Sequence, residues 1–350
     1  MTKNKKSFWK KLIIAFLIIF LIGFAYVGYR VYRIVYETNV NLGYKKNVYL
    51  YIPTGSTYED VRELLIKENI IINMRSFEWL AHKKSYELNV KPGKYKITSG
   101  MSNNDIVNML RSGNQEPVKL KFNNIRTKEQ LASKISKQIE ADSISIITLL
   151  NDNSYIQKYK FNKDNVLALF IPNTYEIFWN TSAPQFFTRM NKEYLAFWDA
   201  SKIEKAKNIG LTQIEVSILA SIVQSETSKP KEMPIVAGVY INRLRKDMLL
   251  QADPTVIYAL GDFTIKRVYK KHLEIDSPYN TYKYLGLPPG PITLPEIITL
   301  EKVLNYQKHD YIFFCAKDDL SGYHNFAKTN AQHEENARRY QNALNLRKIK

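Results

Sequence analysis

The alternation of apolar and polar positions divides the chain into three regimes. Leu12 to Tyr29, LIIAFLIIFLIGFAYVGY, carries no charge, and Val31 to Tyr36 extends it, so the stretch is long enough to cross a bilayer. No A-x-A-like site ends it, which predicts an uncleaved anchor over 12–33 rather than a signal peptide. Tyr36 to Lys46 lacks periodicity and reads as a connector. A strand–turn–helix unit then recurs. Val48, Leu50 and Ile52 alternate with Tyr49 and Tyr51, Pro53-Thr54-Gly55 turns the chain, and Thr57 caps a helix through Val61, Leu64 and Leu65. Tyr95 and Ile97 open the second copy, whose helix runs from the cap Ser102 through Ile106, Val107 and Leu110 to Gly113. In the third, Val118, Leu120 and Phe122 precede a Thr127/Gln130 capping box and a helix bearing Leu131, Ile135 and Ile139.

The third regime is helical from Ile144 to Trp198, broken at Leu169–Tyr175 around Pro172. Thr212 and Glu215 then form a capping box, with Leu211 and Val216 as a hydrophobic staple, for a helix whose apolar stripe is Ile214, Ile218, Leu219, Ile222 and Val223. A second helix opens at about Ile235 with Val236, Val239, Tyr240 and Leu244 facing inward, and a strand is expected at Tyr311–Cys315. These patterns predict an α+β chain: one transmembrane helix, a small α+β module over 45–115, and a larger α+β region over 117–345 with its core at 205–345.

Glu226 stands out because it falls on that stripe, four residues after Ile222 and three after Val223. A carboxyl group among apolar side chains is desolvated, which raises its pKa and suits a general acid. The plainer reading has Glu226 mark the helix end, turned to water or paired with Lys229 or Lys231. Gln251, Asp253 and Thr255 surround Pro254, either as a cleft wall or as a helix N-terminus with Asp253 as N-cap. Ser277–Tyr282 and Leu287–Pro291 form a proline-stiffened loop pair, in which Asn280 and Tyr282 are the candidates for contact with sugar hydroxyls or, equally, for loop support. Tyr49, Tyr51, Phe77, Trp79 and Tyr95 either offer flat apolar surfaces to a ligand or pack a small core.

Composition adds an address. Among 350 residues, 45% are hydrophobic, and a lone Cys315 precludes an intrachain disulfide. Lys3, Lys5, Lys6, Lys10 and Lys11 precede the apolar span and only Arg30 and Arg33 follow it closely, which keeps the N-terminus cytoplasmic and puts the rest outside a cell membrane. That topology turns the net charge of +18 away from nucleic acid and toward anionic envelope material or lipid headgroups. No H-x-x-x-H or H-E-x-x-H pattern occurs, so a zinc site is not expected, and His324 reads as a hydrogen-bonding support.

The blocks LASIVQSE, VAGVYINRL, LLQADPTVIYAL, SPYNTY and GLPPGPI, in this order, resemble the endolytic murein transglycosylases of the YceG-like family. The resemblance spans nearly the whole chain and is densest from Leu219 to Ile292. It implies a membrane-anchored, peptidoglycan-cleaving lyase with a LysM-like module at 45–115 and a catalytic region at 117–345. It also implies that Glu226 protonates the oxygen between N-acetylmuramic acid and N-acetylglucosamine, then takes the proton of the muramoyl 6-hydroxyl as that group attacks C1. Such a route leaves a 1,6-anhydromuramoyl end and needs neither cofactor nor metal. Gln224, Ser225, Asn173 and Tyr323 depart from the commoner residues of the family blocks. The tether suggests nascent, lipid-linked strands as substrate, with peptidoglycan synthases as neighbours. Two alternatives stay open: a hydrolase in which Asp253 activates water, and a non-catalytic glycan-binding scaffold.

Overall fold

A continuous apolar helix, α1 (Lys3–Tyr36), opens a computed structural model that describes residues 3–347. Met1 and Thr2 of the expected cytoplasmic N-terminus lie outside the described residues. Ser7–Tyr36 is apolar and exposed along its length, and is long enough to cross a membrane. The chain divides into two units, one built from residues up to Val118 with Glu176–Asn180, the other from Lys119–Tyr175 and from Thr181 onward.

In the first unit, β1 (Asn47–Ile52) pairs antiparallel with β2 (Gly93–Thr98), from Asn47 opposite Thr98 to Ile52 opposite Gly93. Between them run α2 (Tyr58–Lys67) and α3 (Met74–Lys83), and α4 (Asn103–Ser112) follows. Thr57 and Ser102 start α2 and α4 with full capping boxes to Asp60 and Asp105. Leu50, Ile52, Val61, Leu65, Phe77, Tyr95 and Ile106 are completely buried in the core, each worth about 1.5–3 kcal/mol. Phe77 and Tyr95 are therefore packing residues, whereas Tyr49, Tyr51 and Trp79 stay exposed. The expected connector is built into the unit: Thr38 bridges to Ser102 and Val40 to Ile71, and Val40 is buried. Buried Asn39 donates to Asn103 Oδ1 (2.6 Å), and Asn103 Nδ2 reaches the Ile34 carbonyl at the end of α1 (2.8 Å). These amides satisfy backbone groups that the absence of periodicity in the connector left unassigned.

The chain changes unit within two short strands, β3 (Val118–Lys121) and β4 (Thr174–Ile177). The second unit holds α5 (Lys128–Ser136), α6 (Ser143–Asn151), α7 (Asn153–Gln157), α8 (Ala183–Phe197) and α9 (Ala200–Ile209) ahead of its central helix, α10 (Gln213–Glu226). Then come α11 (Met233–Arg245), α12 (Asp253–Leu260), α13 (Ile297–Leu304), the antiparallel pair β5 (Phe313–Ala316) and β6 (His324–Ala327), and α14 (Asn330–Leu346). The strand expected at Tyr311 begins two residues later, and α11 starts at Met233 with Pro234 in its first turn, where a missing N–H costs nothing. The third strand and helix of the apparent repeat, β3 and α5, belong mostly or wholly to this second unit.

α10 has the expected capping box but not a single apolar stripe. All eight residues from Val216 to Val223 are buried, Ser217 and Ser221 included, because α9, α11, α12 and α13 surround the helix. Small Ser217, Ala220 and Ser221 let those neighbours approach on faces that the pattern assigned to solvent. Ser221 Oγ donates to the Ile218 carbonyl (2.7 Å) and accepts from Ile292 N (3.0 Å), so its polarity is satisfied within the core.

Candidate active site

Glu226 is the last residue of α10, and Thr227 leaves the helix in extended geometry (φ −141°, ψ 136°). The carboxyl group is half-buried and accepts a hydrogen bond at Oε1 from the hydroxyl of Tyr240, 3.0 Å away on α11. Desolvation raises its pKa from 4.5 to about 7; the Tyr240 hydrogen bond pulls the other way, and the Asp253 carboxylate adds to the rise. Burial first, then the charge of Glu226, holds the Tyr240 hydroxyl well above its ordinary range, so it remains a donor. Glu226 does end its helix, as the plainer reading had it, but among the described residues no ion pair joins it to Lys229 or Lys231: Lys229 lies over the Tyr323 ring (5.2 Å), Lys231 is exposed, and the carboxyl group meets Tyr240.

The segments singled out in the sequence converge beside it. Tyr282 donates its hydroxyl to Asp253 Oδ1 (2.5 Å), and burial followed by that hydrogen bond raises the pKa of Tyr282. Asp253 is exposed and occupies the first helical position of α12, while Ala252 is the N-cap, one residue earlier than expected. Gln251 sits at φ +52°, a left-handed conformation that a non-glycine residue adopts under constraint. The constraint is visible: Gln251 N donates to the Thr281 carbonyl (3.0 Å), and its Oε1 accepts from Arg243 Nη1 (3.2 Å).

Thr255 and Asn280 play a different part. Thr255 is buried, with its hydroxyl on the Ala252 carbonyl (2.7 Å) and against Thr281 Oγ1 (2.8 Å). Asn280 is also buried; its amide donates to the Leu273 and Ile275 carbonyls (2.9 and 2.8 Å), and its Oδ1 accepts from Tyr282 N (3.0 Å). Both side chains are spent on holding the loops that present Asp253 and Tyr282.

Three residues support the site, and two of them, Tyr240 and Glu232, escaped sequence reasoning as parts of it. Tyr240 read as one more inward-facing core position of its helix. Arg243 is buried and fans across the Ile312, Leu249 and Leu250 carbonyls (2.6, 3.1 and 2.9 Å), fixing the segment that ends in Gln251. Glu232 is buried at 3% exposure, where its carboxylate accepts from Thr227 Oγ1 (3.1 Å), His324 N (2.7 Å) and His324 Nδ1 (2.8 Å). It thereby ties the residue after Glu226 to β6, with His324 as the support expected of it. Only contacts between residues far apart in the chain reveal such roles. Gln224, one of the departures from the family blocks, tethers α10 to the start of α13 through the Leu294 carbonyl (3.2 Å), Glu296 N (2.7 Å) and Thr299 Oγ1 (3.1 Å).

A half-buried carboxyl group that keeps its proton to about neutral pH, next to a second, solvated carboxylate, is an arrangement able to donate a proton to a leaving oxygen. Comparison with known proteins gives the family. The profile of the YceG-like family matches residues 50–339. The endolytic murein transglycosylase of Bacillus subtilis (strain 168) is 30% identical over 317 residues, covering 86% of this chain and 87% of that protein. The protein of the same name from Streptococcus pneumoniae serotype 2 (strain D39) is 28% identical over 369 residues, 94% of this chain and 66% of its own length. A crystal structure of a YceG-like protein from Listeria monocytogenes superposes with a TM-score of 0.56 at 30% identity, covering 83% of this chain and 98% of that one. With the family profile spanning most of both units and these relatives aligned along nearly their whole shared length, the chain belongs to the YceG-like family.

Proposed function

We propose that this chain is an endolytic lytic transglycosylase of peptidoglycan, with Glu226 as its acid and then its base. The observation that carries the reading is the carboxyl group of Glu226, held near half-protonation at neutral pH by burial and bonded to Tyr240. Protonated Glu226 gives its proton to the oxygen leaving C1 of the muramoyl residue. The resulting carboxylate takes the proton of the muramoyl 6-hydroxyl as that oxygen closes on C1, so the bond to N-acetylglucosamine breaks and a 1,6-anhydro ring forms. The nucleophile is already part of the sugar, which supplies proximity and spares the site an activated water. Asp253 and Tyr282 line the approach, Gln251 is held beside them by Arg243, and Thr255 and Asn280 keep the loops in register.

The apolar helix α1 would anchor the protein in the cell membrane with its short N-terminus inside and both units outside, close to nascent, lipid-linked strands and to the synthases that extend them. The β–α–α–β order of β1, α2, α3 and β2 supports a LysM-like reading of the small module, with exposed Tyr49, Tyr51 and Trp79 as its glycan-facing rings. Digestion of purified peptidoglycan by the wild type and by Glu226→Gln, followed by mass analysis of new chain ends, tests the proposal. Anhydromuramoyl ends from the wild type alone are expected; reducing muramoyl ends would assign a hydrolase with Asp253 as base.

A further inference from the structure

A cavity of about 370 Å³ lies in the second unit, alongside the proposed acid rather than around it. Ser225 and Pro254 form part of its wall, and their chain neighbours are Glu226 and Asp253. The rest of the wall includes Arg126 with the apolar side chains of Ile257, Tyr258, Phe263, Ile265 and Ile292, and the polar Asn124, Gln224 and Thr293 complete it. The Arg126 guanidinium lies 4.7 Å from the centroid of the Phe263 ring, and among the described residues no carboxylate pairs with it. An arginine stacked on an aromatic face keeps the edge of its fork free, and that edge matches a planar anion.

We infer that this cavity receives the peptide-bearing lactyl arm of the muramoyl residue, with Arg126 as the group that binds a free carboxylate of the peptide attached to it. The inference rests on the proposed reading of the site. With a muramoyl C1 at Glu226, the substituent on the same ring must leave toward one wall, and the wall next to Ser225 and Pro254 offers a cation above apolar side chains. Methyl groups of the lactyl arm and of alanine residues attached to it suit Ile257, Ile265 and Ile292. A diphosphate would satisfy Arg126 as well, but a glycan strand carries one only at its lipid-linked end, whereas every muramoyl residue within the strand carries the arm that an endolytic cut must accommodate.

Binding separates these cases. Soluble, uncross-linked glycan strands free of diphosphate are titrated into full-length Glu226→Gln protein, once untreated and once with their carboxyl groups capped as methylamides. Untreated strands are expected to bind about tenfold more tightly than capped ones. Adding Arg126→Gln should abolish that difference without weakening binding of the capped strands, and Arg126→Lys should restore part of it. Equal binding of the two strand types, a preference that survives Arg126→Gln, or an Arg126 effect confined to strands still bearing diphosphate would overturn the inference. Wild-type digestion of the same strands reports independently on the proposed reaction, since loss of anhydro ends with a retained carboxylate preference would sink the function and leave the subsite.

Discussion

Glu226 couples stability to activity through a single proton. Its pKa in the folded protein lies above the unfolded value, so the native state binds more protons between pH 4.5 and about 7 and loses stability as pH rises through that window. Above it, the ionised carboxylate costs on the order of 1–3 kcal/mol. Glu226→Gln should therefore raise the unfolding free energy at pH 8 by about that amount, with the gain gone below pH 4.5, while peptidoglycan cleavage falls by at least about a hundredfold. Denaturant melts at the two pH values test the first half; equal stability at pH 8 would mean that the carboxyl group is not desolvated. Tyr240→Phe removes the hydrogen bond that pulls this pKa down. The alkaline limb of kcat/KM, set by loss of the acid's proton, should then move to higher pH, and a limb that stays in place would detach Tyr240 from the acid.

At the scale of elements, the site depends on how α10 and α11 are held. Glu232 anchors the turn between them to β6, and Glu232→Ala would leave His324 Nδ1 and Thr227 Oγ1 without their partner in a buried position. A loss of about 3 kcal/mol in stability is expected, with kcat falling more than KM rises because Thr227 adjoins the acid. Gly238 of α11 faces the Gln307 carbonyl, where an added Cβ would sit 2.5 Å from that oxygen. Gly238→Ala should cost about 1–3 kcal/mol, read as a lowered midpoint of unfolding. The sequence pattern located both helices from capping and spacing. It could not show that α10 is buried on every side, since the apolar stripe marks one face only and Ser217 and Ser221 are covered by Ile292 and the neighbouring helices.

For the whole molecule, the end of α1 is where the apolar helix and the small module become one object. Asn103 caps the Ile34 carbonyl, and Val40 is buried against the module. A chain beginning at Arg33 should leave the membrane fraction yet keep the module's thermal transition, whereas one beginning at Gly43 loses the Asn39 network and Val40 and should melt earlier. Identical melting of the two would show that the connector contributes nothing. The basic balance of +18 acts at this same scale, favouring approach to anionic wall and lipid surfaces over any one contact.

Local rules were enough to read the apolar N-terminal helix, the Thr57, Ser102 and Thr212 caps, the alternation of β1, and the oddity of a carboxylate in line with apolar side chains of α10, because each depends on residues within a turn or two of one another. Ordered blocks of sequence were enough to place the chain in its family. Folding alone determined that Tyr240 donates to Glu226, that Asn280 and Thr255 serve the loops, that Glu232 binds His324, and that Arg126 overhangs a cavity beside the acid. Tyr240 and Glu226 lie 14 positions apart and Glu232 and His324 lie 92 apart, and no periodicity or motif encodes which distant side chain a buried polar group will find.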